Sequence, residues 1–417
     1  MSSKKEKLSV EPYKGVRDFY PEDQAFYNYL LSTYRQVAER FGYVEYHASV
    51  LEPAELYKSK NAENEELVNE QTYTFVDRGG REVTLRPEMT PTVARMVAAR
   101  RRELGFPLRF FSIPNVFRYE RPQRGRLREH WQLNVDLFGS KSLTADTEII
   151  AVAAEIMRAF GATPNDFEIR IGSRIFLDSL ITQLSLSDDA TKEFVALLDR
   201  RRKIPAAEFD ATLAELGVPL ALLSTSDTPD EVRVVLKTLA ELGINNAVYD
   251  PSIVRGFAYY TGVVFEVFDT HPDNNRALFG GGRYDNLTTL FDDEPIVGVG
   301  FGMGDVSMRN FLEVRGLLPV YVPPTKLYIA VAAPEDVSHA LMLAQELRAQ
   351  NVAIAVDFGD KKLADQIKAA TKHHIPYLLV VGENEITSGT FAVRDLATGK
   401  ETPLSRTELA SFFLALA

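Results

Sequence analysis

The sequence predicts an α+β fold of two domains: a large one built on an antiparallel sheet with an inserted helical module, then a small α/β one. Three observations predict it. Before residue 164 the strand-like runs come as adjacent pairs joined by polar, glycine-bearing stretches, the pattern of hairpins rather than of repeated βαβ units. From about 164 to 249 the chain turns Leu- and Ala-rich and mostly helical, broken by Pro205, Gly217, Pro219 and Pro229. After Pro319, Pro323 and Pro324, a stiff proline-rich connection, short apolar strands alternate with helices. A chain of 417 residues is also too long for one ordinary core. The expected boundaries are 1–320, with the insertion at about 164–249, and 326–417.

The elements follow in order. Residues 22–42 place Phe26, Tyr29, Leu30 and Tyr34 near one face of a helix. QTYTFVD and REVTLRP, joined by Arg78-Gly79-Gly80, read as a hairpin. Thr90-Pro91 opens the next helix, a capping residue followed by proline in the first turn. PLRFFSIPNVFRYE and HWQLNVDLFG form a second strand pair around an arginine-rich loop, and strand character returns at RGFAYYTGVVFEVF and continues to GGGRYD. In the small domain KLYIAVAA, VAIAVDF and PYLLVVG alternate with helices near 335–349 and 361–372, which predicts a largely parallel sheet.

Composition narrows the function classes. The absence of cysteine excludes disulfides, thiol nucleophiles and cysteine-based metal centres. His373 and His374 are adjacent and point about 100° apart on a helix, a poor pair of ligands, so no structural metal is expected. No run reaches the roughly eighteen apolar residues of a membrane span, and MSSKKEKLSV lacks the apolar core of a signal peptide. The expected location is the cytoplasm, with no membrane partner. A formal charge of −11 argues against binding nucleic acid over the whole surface. Basic residues are instead clustered, at Arg100 to Arg102, at Arg200 to Lys203, and above all in FRYERPQRGRLREH. From Lys326 onward there are 9 basic and 11 acidic residues, net −2, so the small domain is the less repulsive one for a polyanion.

Four stretches carry chemistry. In FRYERPQRGRLREHWQLNVDLFG, Arg118 at a strand end is a rigid guanidinium fork suited to a phosphate, and Arg121, Arg124, Arg126 and Arg128 follow on a glycine-containing loop. An ordinary surface bridge between Arg118 and Glu120 explains the first of these as well. In RGFAYYTGVVFE, Arg255 is a further cation. Tyr259 and Tyr260 would face opposite ways on a regular strand, unless Gly256 and Gly262 make it irregular. TLRPEMT offers Glu88 and Thr90 to an ammonium group, although capping explains Thr90 equally. GGGRYD lacks the lysine and spacing of a P-loop; its glycines let backbone approach backbone or ligand.

Together and in this order these stretches resemble the histidyl-tRNA synthetases, a family of class II aminoacyl-tRNA synthetases. KGVRDFYPED, TLRPEMT, FRYERPQRGR, RGFAYYTGVVFE, GGGRYD and VGFGMGD are similar to that family's segments, and DKKLADQIKAATK and GENEITSGTFAVRDLATGK to its anticodon-binding domain. The resemblance implies activation of L-histidine by ATP, with Mg²⁺, followed by transfer to the 3′-end of tRNA(His) by a homodimer. It places Arg118 and Arg255 on the α-phosphate, Glu120 and His130 at the adenine, and Glu88, Thr90 and Gln132 around the α-amino group. Asp136 and Tyr260 would address the imidazole with Tyr259 beside them, and Arg124, Arg126 and Arg128 would meet the acceptor end of the tRNA. Lys361, Lys362, Lys368 and Lys372 are candidate phosphate contacts on one helix of the anticodon domain, or simply its solvated face.

Three positions depart from the pattern. Ser307 stands where motif 3 carries an arginine for the γ-phosphate, with Arg309 the nearest one; Ala258 replaces an aspartate; Ser49 replaces the motif 1 proline. Two rival readings are binding proteins: a non-catalytic paralogue regulating histidine biosynthesis, and a sensor of uncharged tRNA. The first lacks the anticodon domain and erodes the adenylating residues, and the second loses Arg118 or Arg255; this chain keeps all of these.

Overall fold

The computed structural model describes residues 7–58, 71–121, 125–201, 204–223, 228–254, 259–274, 276–292, 294–358 and 361–416. It separates into two compact units, residues 1–319 and 320–417.

The first unit opens with α1 (Pro21–Arg40), which has proline in its first turn, Glu22 and Asp23 at the positive end of its dipole and Arg40 at the other. Short strands β1 (Val44–Glu45) and β2 (Leu51–Pro53) and a single turn, α2 (Glu55–Lys58), lead to the hairpin β3 (Tyr73–Val76) and β4 (Glu82–Leu85). β2, β4 and β3 form a small antiparallel sheet. Its turn needs Gly80, whose φ of +78° lies in the left-handed region. Helix α3 (Thr90–Ala99) then follows, but its cap residue is Met89 and no side chain caps it. Thr90 is therefore not a capping residue, which removes the bland explanation for it.

Strands β5 (Leu108–Ser112) and β6 (Asn115–Phe117) both run antiparallel to successive parts of β7 (Glu129–Phe138). Pro114, which cannot donate to a ladder, separates the two pieces. α4 (Leu143–Ala159), capped by the Ser142 side chain, packs behind the sheet. Next come β8 (Phe167–Ser173), four helices, α5 (Arg174–Leu184), α6 (Asp188–Arg200), α7 (Ala206–Glu215) and α8 (Asp230–Glu241), and β9 (Ala247–Tyr249). The interval 164–249 is thus not helical throughout. β8 and β9 belong to the main sheet, and α8 buries Val232, Val235 and Leu239 in the main core. α5 to α7 form a core of their own around Leu177, Phe194, Leu197 and Phe209. FEIRIGS forms a strand whose alternating Phe167, Ile169 and Ile171 are buried, a short period-2 signal masked by its helical context.

β10 (Val263–Asp269), β11 (Ala277–Tyr284), β12 (Gly298–Gly304) and α9 (Asp305–Val314) complete the unit. The main sheet has nine strands in the order β1-β5-β7-β12-β11-β10-β8-β9, with β6 beside β7, and is antiparallel except for its two edge pairs. One face packs on α1, α4, α8 and α9; the other carries a second cluster with Val93, Val97, Phe138, Tyr259, Tyr260 and Tyr284. That second face holds the site.

The second unit comprises β13 (Leu327–Val331), α10 (Val337–Arg348), β14 (Ile354–Val356), α11 (Leu363–Lys372), β15 (Tyr377–Val381), α12 (Glu383–Ser388), β16 (Thr390–Asp395), β17 (Glu401–Ser405) and α13 (Arg406–Leu414). Its sheet, in the order β14-β13-β15-β16-β17, is parallel across the first three strands only. An antiparallel hairpin, β16–β17, extends it, so the sheet is mixed rather than largely parallel. Lys361 and Lys362 precede α11 rather than lying on it. No helix among the described residues is long and apolar enough to cross a membrane.

Candidate active site

Strand β7 organises the site through its period of two. Leu133, Val135 and Leu137 point into the main core, which turns His130, Gln132, Asn134 and Asp136 to the opposite face. Asp136 pairs in register with Gly300 of β12, and Gln132 with Gly304. Glycine is required at Gly300 and Gly302. A Cβ on Gly300 would collide with the Asp136 carboxylate, and one on Gly302 with the Gln132 amide. Likewise a Cβ on Gly282 would sit 2.9 Å from the Tyr260 ring. The glycines of GGGRYD and VGFGMGD thus hollow out the sheet face for the side chains of adjacent strands.

A cavity opens there, lined by Glu88, Thr90, Arg118, Gln132, Tyr259, Tyr260, Gly280, Tyr284, Gly300, Phe301 and Gly302. Arg118 follows the end of β6, and its Nε donates to the Pro87 carbonyl at 2.9 Å. Its terminal nitrogens have no hydrogen-bond partner among the described residues, so a fixed fork faces the cavity. Glu88 is 3% exposed and accepts from the Tyr259 hydroxyl at 3.1 Å. Tyr259 and Tyr260 both line the cavity because they precede β10 instead of lying on it, their rings tilted 54° at 4.9 Å. The expected irregularity is present, and it brings both rings to one side.

Asp136 lies beneath the floor at Gly300, 2% exposed. Its Oδ1 accepts from the Tyr284 hydroxyl, while its Oδ2 has no partner among the described residues. Burial pushes its carboxyl up to about 7, and the Tyr284 hydrogen bond works in the other direction. His130 is pushed down to about 3 by burial and by the nearby Arg118 and Arg17 charges, so its ring is neutral. Neither His130 nor Glu120 lines the cavity.

The other expected residues divide. Arg255 and Arg124 lie outside the described residues, as does Ala258. Arg126 is exposed and pairs with Glu120 at 3.4 Å. Arg128 is drawn inward: it is 8% exposed, its guanidinium stacks 3.9 Å from the Tyr119 ring centre, and its nitrogens bond Tyr13 and the Glu120 carbonyl. A fork so committed is a clamp for the loop, not an open phosphate contact. Ser307 bonds the carbonyls of Leu278 and Gly304, and Arg309 is turned to Asp23 on α1 at 2.9 Å; neither lines the cavity. Sequence reasoning quoted GGGRYD but passed over Tyr284. The signal was there, a tyrosine ending a glycine-hollowed strand.

The antiparallel sheet, with a cavity and a fixed guanidinium across its strands, has the architecture of a class II aminoacyl-tRNA synthetase catalytic domain. The family model for histidyl-tRNA synthetase matches residues 15–240 and 207–305, and that for the anticodon binding domain matches 326–416. Histidine–tRNA ligase of Leptospira biflexa is 42% identical, over 97% of this chain and 97% of its own length. That of Thermoplasma volcanium is 35% identical, over 97% and 98%. The chain therefore belongs to the histidyl-tRNA synthetase family. Among solved structures, the fold is similar to a histidyl-tRNA synthetase from Nostoc sp. PCC 7120, with a TM-score of 0.82 at 23% identity, covering 99% of this chain and 100% of that one. It is also similar to an ATP phosphoribosyltransferase regulatory subunit/histidyl-tRNA synthetase from Bacillus halodurans, with a TM-score of 0.71 at 21% identity, covering 90% and 99%.

Proposed function

We propose that this protein is a histidine–tRNA ligase, joining L-histidine to ATP as histidyl-adenylate with release of diphosphate, then passing the histidyl group to tRNA(His). The observation that carries the reading is a guanidinium fork facing a cavity whose Gly300 wall adjoins the buried Asp136 carboxylate, one oxygen of which has no partner among the described residues. The curated relatives cover the second unit as well as the first, which disfavours a regulatory paralogue without an anticodon domain.

In the first step a histidine carboxylate oxygen attacks the α-phosphorus, and the bond to the diphosphate oxygen breaks. No protein nucleophile is needed; positioning and charge stabilisation do the work. Arg118, fixed by Pro87, offers its fork to the α-phosphate with no reorganisation at the moment of reaction. Arg255 is proposed as the second cation on that phosphate. Glu88, Thr90 and Gln132 hold the α-amino group. Asp136 accepts a ring N–H, and Tyr260 closes on the imidazole with Tyr259 alongside. A site that leaves a buried acceptor unpaired when the side chain lacks a donor discriminates against it by about 10⁴-fold or more. His130, neutral, and Glu120 are the proposed partners of the adenine. Arg126 and Arg124 would meet the acceptor end of the tRNA, Arg128 shaping the loop between them.

The described residues hold no cluster of three or more His, Cys, Asp or Glu suited to a metal. Mg²⁺ is proposed to arrive with ATP, where it would neutralise phosphate charge. A homodimer and a cytoplasmic location complete the reading. Its test is ATP–pyrophosphate exchange with each of the twenty amino acids offered separately. Exchange with histidine alone supports it; no exchange from folded, histidine-binding protein moves the assignment to a regulatory paralogue.

A further inference from the structure

We propose that Arg86, Asn115 and Glu129 form a positioning network behind the arginine-rich loop, in which the Asn115 amide joins a buried cation to a carboxylate and so fixes Arg118. The kinetic consequence rests on the ligase reading; the network itself lies outside the cavity.

Arg86, the residue after β4, is 2% exposed, and a guanidinium keeps its charge even there. Its Nε donates to the Asn115 carbonyl at 2.9 Å and its Nη1 to the carbonyls of Ala48 and Ser49 at 2.8 and 3.2 Å. Its Nη2 donates to the Asn115 side-chain oxygen at 3.1 Å. All of these acceptors are neutral, so the cation has no bonded carboxylate among the described residues, while desolvation works against its charge. The arrangement leaves the Asn115 amide one orientation. Arg86 can only donate, so the amide oxygen must face it and the amide nitrogen faces away. That nitrogen donates to Glu129 Oε1 at 3.0 Å. The chain is polarised in one direction, from cation through amide to carboxylate.

The network brackets the loop. Asn115 opens β6 and Glu129 opens β7, and the two strands pair with Asn115 opposite Trp131 and Phe117 opposite Glu129. Backbone bonds hold the same pieces together. Phe117 N–H donates to the Arg86 carbonyl at 3.0 Å, and Arg118 N–H to the Arg128 carbonyl at 2.9 Å. Arg118 Nε then reaches the carbonyl of Pro87, one residue beyond Arg86. The period of two that turns His130 toward the site turns Glu129 away from it. The network therefore touches no substrate and acts through Arg118. A preorganised fork is effective because it does not move at the moment of reaction, and a small displacement of β6 against Arg86 would forfeit that.

The test rearranges charge at two positions. Asn115→Asp puts a second carboxylate against Glu129, so repulsion replaces a hydrogen bond. Adding Glu129→Gln returns a donor to that contact and leaves the new carboxylate to Arg86, so both bonds can form again. Histidine-dependent ATP–pyrophosphate exchange, histidine binding by calorimetry and hydrogen–deuterium exchange of the Phe117 and Arg118 amides are measured on the unsubstituted protein, both single variants and the double variant. Asn115→Asp should lower kcat about tenfold and raise KM for ATP severalfold, with Kd for histidine within about twofold. Its Phe117 and Arg118 amides should exchange about tenfold faster. Glu129→Gln alone still accepts from Asn115 and should stay within about twofold in every reading. The double variant should recover kcat and amide protection to within about twofold of the parent. A lowered melting temperature with kcat unchanged would make the network merely structural and overturn the proposal. A double variant no better than Asn115→Asp would overturn it as well. Should Asn115→Asp fail to fold, Asn115→Ala, which removes the side-chain bonds without adding charge, must show the same split between kcat and histidine affinity. If the unsubstituted protein gives no ATP–pyrophosphate exchange, the ligase reading fails, while the amide rates still decide whether the network fixes Arg118.

Discussion

The two ends of β7 treat charge in opposite ways. At its start, arginines crowd a surface loop, and the structure spends them unequally: Arg118 is aimed into the cavity, Arg126 is exposed beside Glu120, and Arg128 is stacked and bonded within the loop. At its end a single carboxylate, Asp136, sits in the dark with one oxygen held and one open. The loop end has many charges of small individual weight. The buried end has one charge whose surroundings decide everything about it. In the proposed reading, specificity belongs to the second and phosphate binding to the first.

That contrast orders the experiments. The largest effect is expected from Arg118→Ala. Deleting a preorganised donor of this kind costs about 10²-fold or more in kcat. Exchange should fall by that factor while circular dichroism and histidine binding persist. Turnover near normal in the folded variant would place the phosphate elsewhere.

Next is a stability effect with a definite sign. Asp136 titrates near 7 when folded, against about 3.9 unfolded. Between those values the native state holds the extra proton, so stability falls as pH rises through the window, and the full penalty is present above it. Asp136→Asn removes the titration. The variant should be more stable than the parent at alkaline pH by on the order of 1 kcal/mol or more, with the gain shrinking toward acid. Thermal melts across pH read this directly, and a variant less stable at alkaline pH would show that the carboxylate is not a stored cost.

Arg126→Ala should do least. Its exposed pair with Glu120 contributes about 0–1 kcal/mol to stability, so melting and exchange should barely change. KM for tRNA should rise severalfold and depend less on salt. An exchange defect equal to the charging defect would contradict that division of labour.

Much of this was legible in the sequence. Hairpins and the α/β texture after the proline run follow from period and punctuation, while the candidate roles of Glu88, Arg118, Asp136 and Tyr260 come from the family resemblance that the motifs carry. What escaped was contact across strands. β8 was hidden because a seven-residue strand inside a helical stretch gives only three apolar positions of signal. Arg128 read as open because charge is visible in a sequence and its commitment to Tyr13 and Tyr119 is not. Thr90 read as a cap because local chemistry allows it, whereas the helix starts one residue earlier. Tyr284 acquires meaning only when β11, β12 and β7 lie side by side, since its partner is 148 residues away in the chain.

The central claim, that a buried carboxylate chooses the amino acid while an arginine fork serves the phosphate, is tested most directly by exchange kinetics on Asp136→Ala. Histidine and ATP are each varied with the other saturating. The account predicts that KM for histidine rises by about 10²-fold or more while KM for ATP changes by less than about threefold. Equal losses for both substrates would contradict it.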